Sequence, residues 1–117
     1  MTSRELNYML IQWIPEIAEA YEKEIEWQEG DETGSHIIFG DVLVPYIIKL
    51  VEDQEGEALK KIFDFIENLL SLDDEYAEEV VALSVIESLY YRLENFSEVY
   101  LPVKEKTKLF FERLQQA

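Results

Sequence analysis

Between positions 59 and 70, Leu59, Ile62, Phe63, Ile66, Leu69 and Leu70 recur at intervals of one, three and four. That spacing puts all six on one side of a 3.6-residue helix and scatters them over both faces of a strand. Lys60 and Lys61 fall toward the opposite, solvated side. The same rhythm runs through Leu6, Leu10, Trp13, Ile17 and Tyr21 near the start of the chain. A chain patterned this way folds as an all-α protein, read here as an antiparallel bundle of five or six helices joined by short turns. With 117 residues it makes one domain, 1–117, and its 48% hydrophobic and 13% aromatic content supplies a core and argues against disorder.

Local signals set the expected boundaries. Ser3 is the expected N-cap of the first helix. Pro15 cannot donate a backbone hydrogen bond, so that helix is expected to kink there, or to split with Pro15 opening a second one. The apolar stripe keeps its phase across Pro15, which favours the kink. Glu16, Glu19, Glu22, Glu26 and Glu29 fall mostly on the opposite face. The stretch 29–35, with Gly30 and Gly34, reads as a loop whose Ser35 caps the next helix. Residues 36–51 are rich in β-branched side chains, but Asp41 as a cap and Pro45 four residues later favour a helix over a central strand. A break comes at 52–56. Asp73 is the expected N-cap of a helix over about 74–93 with apolar residues nearly all round: Val80, Leu83, Ile86 and Tyr90 on one side, Val81, Val85 and Leu89 on the other. Such a helix is expected at the centre of the bundle. A last helix over about 104–115 should turn Leu109, Phe110 and Leu114 inward.

The charge restricts partners. Twenty-six acidic residues face ten basic ones, a net charge of −16 and a pI near 4.2. Solubility alone asks for a magnitude of only about 2–8. Phosphate backbones and anionic membranes would be repelled, so neither nucleic acid nor membrane is expected as a partner. A basic protein would be drawn in at long range. The chain has no cysteine, hence no disulfide, thiolate metal site or cysteine nucleophile. Met1 leads into no basic-then-apolar leader, and no apolar run approaches a membrane span, so the expected location is cytoplasmic.

Catalytic and metal chemistry finds little material. Di-iron bundles need inward Glu-x-x-His pairs, yet His36 is the single histidine and Thr33 stands three residues before it. One histidine cannot build a zinc site. Residues 31–34 lack the alternating order of a calcium loop, and the glycines match no phosphate-cradling motif. A Ser–His–acid set would have to use His36, whose neighbour Ser35 reads as a cap. No catalytic residue, cofactor or metal is therefore expected. Glu87, on the most apolar helix, would need a partner such as a Tyr, Lys, Arg or His36 if buried. Trp27, beside the acidic loop, suits an interface anchor. The candidate partner-binding residues are Glu22, Glu26, Trp27, Glu29, Asp31 and Glu32.

His36 to Tyr46, then Lys61 to Glu67, then Val85 to Leu89 and Lys106 to Leu109 resemble an uncharacterised family of small acidic all-α bacterial proteins. That family is associated with immunity proteins of polymorphic and contact-dependent growth-inhibition toxins. The resemblance spans about residues 36–114 and rests on hydrophobic and cap positions. It implies a protein that neutralises a toxin domain, often a basic nuclease, by docking on it. A non-catalytic interaction module, as a homodimer burying apolar surface around Trp27 or Tyr90 and Tyr91, is the alternative. A carboxylate-using small-molecule site around Glu87 and His36 is the third reading.

Overall fold

In the computed structural model, which describes residues 1–116, Thr2 rather than Ser3 caps the first helix. Its hydroxyl accepts from the Glu5 amide at 3.1 Å while the Glu5 carboxylate accepts from the Thr2 amide at 2.9 Å. This reciprocal pair opens α1 (Ser3–Trp13). At Ile14 the backbone leaves the helical region, with φ −124° and ψ 68°, as the ring of a following proline demands. Pro15–Ile17 forms a 3₁₀ turn and α2 (Ala18–Trp27) comes next. The first helix is split, not kinked.

The third helix, α3, runs continuously over 35–52, with a widened π segment at Phe39–Leu43 between the α-helical Ser35–Ile38 and Val44–Glu52. The helical reading of this β-branched stretch is correct, but Asp41 lies within the helix and caps nothing. A widened turn just before Pro45 relieves the clash between its ring and the carbonyl four residues back. The helix closes with a left-handed Gln54 (φ 55°), the Glu55 amide reaching Leu50 O at 2.9 Å and the Gln54 amide reaching Val51 O at 3.2 Å. That is the pairing a glycine usually supports.

Helix α4 (Gly56–Leu70) buries Leu59, Ile62, Phe63, Phe65, Ile66, Leu69 and Leu70, the face its spacing announced plus Phe65. Helix α5 covers 75–92 and holds a second π segment, Val80–Glu87. Asp74 caps it, accepting from the Ala77 amide at 2.9 Å, whereas Asp73 adopts a left-handed φ of 56° in the turn. Val80, Val81, Val85, Ile86 and Leu89 are buried, so α5 is central as expected, but Leu83 is 52% exposed. After a left-handed Asn95 and a 3₁₀ turn at Phe96–Glu98, α6 (Glu105–Gln116) ends the described chain. Thr107 and Phe111 are its buried residues; Phe110 and Leu114 are half-buried and Leu109 faces water. The register is set by Thr107, which is tied to α4 through Glu67 and rotates Leu109 outward.

Among the described residues six helices thus enclose one hydrophobic cluster, from Leu6 and Leu10 of α1 to Phe111 of α6. Helices α3 and α5 meet along their π segments, and α6 packs on α4 and α5. No strand occurs among the described residues, and no helix there is long and apolar enough to cross a membrane.

Candidate binding surface

Helix α2 contributes no fully buried residue. Ile17, just before it, enters the core, while Tyr21 and Ile25 only rest against it. Seven of the eight acidic residues between positions 16 and 32 are exposed, with Lys23 the single basic residue of that stretch. Glu22 and Glu26 stand one turn apart on one side of α2 and are exposed, and Glu29, past the helix end, is exposed as well. No ion pair to any of the three is found among the described residues. Trp27, 71% exposed, lies on the ridge of Glu19 and Lys23, which pair at 3.4 Å.

A polar network that the sequence does not reveal pins the loop after α2. Thr33 Oγ1 accepts from the Glu29 amide at 3.1 Å and donates to Gly30 O at 2.7 Å. The buried Asn7 of α1 donates to Thr33 O at 2.9 Å and accepts from the Ser35 hydroxyl at 2.7 Å. Ser35 is therefore a brace between α1 and α3 and not a cap. Asp31 and Glu32 are held over α1, where Arg4 approaches them at 3.8 and 3.6 Å. All three side chains are about two-thirds exposed, so these pairs add little stability and a partner can compete for them. Between α1 and α2 a groove of about 280 Å³ brings Glu22 and Asp31 together with Arg4, Tyr8 and Tyr21. Burial pushes the Tyr21 phenol up, and the Asp31 and Glu22 carboxylates push it further. Tyr8, 65% exposed, adds an aromatic face that its place in the α1 sequence does not single out. The structure thus gathers Glu22 and Asp31 in one groove with Glu32 at the same arginine; Glu26, Trp27 and Glu29 lie along the outside of α2 and its exit.

The single histidine sits elsewhere. His36 Nδ1 is 2.6 Å from Ser84 Oγ, its Nε2 is 3.3 Å from Glu79 Oε2, and Tyr76 meets its ring edge-on at 5.9 Å. Ser, His and carboxylate in line suggest a nucleophilic relay. Ser84, however, lies mid-helix, where the neighbouring amides are committed to the helical ladder and an oxyanion would find no donors. The cluster is a clamp between α3 and α5. Glu87 is only half-buried and takes no part in it. Among the described residues no group of three or more His, Asp or Glu side chains is arranged to hold a metal ion.

A family model described as Domain of unknown function (DUF7674) matches residues 8–115. The chain belongs to that family. The match takes in the second half of α1, α2 and the acidic loop as well as the helices from 35 onward, so all of the candidate surface but Arg4 lies within the family domain. No curated protein and no solved structure matches the chain.

Proposed function

We propose that this protein binds and neutralises a positively charged toxin domain, in the manner of an immunity protein, by presenting α2 and the loop after it. The observation that carries the reading is that α2 buries nothing fully while holding Glu22 and Glu26 outward beside an exposed Trp27, with Glu29 exposed just past its end. A helix that gives so little to its own core, yet carries a large aromatic and an unneutralised row of carboxylates, has the composition of an interface: an anchor inside a charged rim. The carboxylates steer a cationic surface into place and Trp27 supplies contact area. The loop braced by Thr33 and Asn7 keeps Asp31 and Glu32 in register with them. Such binding needs no cofactor and no reaction in this chain.

Co-expression of this protein with the toxin domain encoded beside it should rescue growth and yield a complex that survives purification at low salt. The triple variant Glu22→Gln/Glu26→Gln/Trp27→Ala should lose rescue while keeping its fold, with affinity falling by at least about thirtyfold (~2 kcal/mol). Absence of both rescue and complex with the unmodified protein would refute the reading. A second reading, a homodimeric interaction module, is favoured by Tyr91, which is 68% exposed and meets Tyr90 edge-on at 5.2 Å. A dimer in sedimentation that Tyr91→Ser dissolves, without any toxin contact, distinguishes it.

A further inference from the structure

Along α5, Glu75, Glu79 and Leu83 succeed one another at four-residue spacing, with Glu78 beside them. They form a ridge about two turns, ~12 Å, long. Next to it lies an open trough of about 630 Å³ whose floor is Tyr76, Leu83 and, from α6, Phe110. Leu83 is 52% exposed on the helix that otherwise forms the centre of the core. Arg113 lies over the Phe110 ring at 5.0 Å. Glu79 is also engaged by His36, while no ion pair to Glu75 or Glu78 is found among the described residues.

The geometry points to a docking site for a basic amphipathic helix of a partner protein. About two turns of such a helix would lay apolar side chains on Leu83 and Phe110 and set lysines or arginines along Glu75, Glu78 and Glu79. Charge decides among occupants. A neutral apolar segment would strip water from the carboxylates without replacing it. A second copy brings another net charge of −16 and is opposed at long range. A small organic cation would stay largely wet, since ligand pockets enclose most of their ligand and this trough is open along its length. A basic helix satisfies floor and rim together, as amphipathic helices do in apolar grooves. The inference involves α5 and α6 alone and does not rest on the reading of α2.

The test uses the whole ¹⁵N-labelled protein and a synthetic 14-residue peptide of leucines and lysines spaced as an amphipathic helix. Amide shifts on titration should concentrate over 75–83 and 106–113. Glu75→Gln/Glu78→Gln and, separately, Leu83→Ser should weaken binding at least about fivefold, with the amide spectrum reporting that each variant is folded. Glu22→Gln/Glu26→Gln should leave the affinity within about twofold, and the peptide with glutamate in place of lysine should not bind. Shifts centred on α2, shifts spread over every acidic face, equal weakening by both glutamine pairs, or no binding would each overturn the site. Concentration-dependent shifts at the same amides without peptide would assign the trough to a second copy and also overturn it.

Discussion

At the start of α6 the Glu67 carboxylate, carried on α4, accepts from the Lys106 and Thr107 amides at 2.9 and 3.0 Å and from the Thr107 hydroxyl at 2.9 Å. One side chain thereby satisfies two of the free amides of a helix that belongs to a distant part of the chain. Burial pushes the Glu67 carboxyl up, but the hydrogen bonds from Thr107 and Lys106 outweigh it and hold the group below its ordinary 4.5. Because the folded value is the lower one, the stabilisation is present above about pH 4.5 and is lost as pH falls through the folded value. Glu67→Gln is expected to cost about 1–2 kcal/mol near neutrality, like the loss of a helix cap. Chemical denaturation should show that gap between wild type and variant narrowing as pH drops below about 4.5; a gap unchanged in acid would mean the carboxylate charge is not its origin. In the sequence Glu67 is one more acid beside a helix stripe, and its target lies 39 and 40 residues away. Asn7 and Thr33, 26 residues apart, are hidden in the same way.

Among the elements, α2 is the least secured. Its N-terminus has no side-chain cap, its last turn has no basic residue, and Glu24 and Glu26 oppose the negative end of its dipole. Tyr21 and Ile25 give it only partial burial. Amides of residues 21–27 are therefore expected to exchange with deuterium at least about tenfold faster than those of 62–70, which line the core from α4. Equal protection would mean that α2 opens only with the whole molecule. The periodicity that locates α2 says which face is acidic, but not that its apolar face finds so little to cover it. At Leu83 the same limitation runs the other way: seven apolar residues around α5 suggest burial on every side, yet no helix covers the face at Leu83.

For the molecule as a whole, the net charge of −16 is uneven: α2 and α5 each carry −3, α1 is neutral, more than half of the excess lies in the segments between helices, and in α6 Lys106, Lys108 and Arg113 outnumber Glu105 and Glu112. Most ion pairs are exposed, such as Glu16–Lys61 at 3.0 Å and Glu19–Lys23 at 3.4 Å, so they offset little of the mutual repulsion. Asp64, held between Lys60 at 3.2 Å and Lys104 at 3.0 Å, joins α4 to the segment leading into α6. Screening should relieve more repulsion than attraction. The melting temperature is thus expected to rise by a few degrees between about 10 and 150 mM salt. A fall would show that the ion pairs outweigh the excess charge.

The helical class, the break at Pro15, the helix through Pro45 and the acid excess are written in local covalent geometry, side-chain spacing and composition. These act over a few residues and need no partner surface. Which side chains meet was decided only when the helices packed. His36 finding Ser84, 48 residues on, Glu67 capping α6, Ser35 bracing α1, and α2 and Leu83 facing water are properties of pairs of surfaces. Burial and pairing depend on what lies opposite a residue, and a one-dimensional pattern carries no record of that.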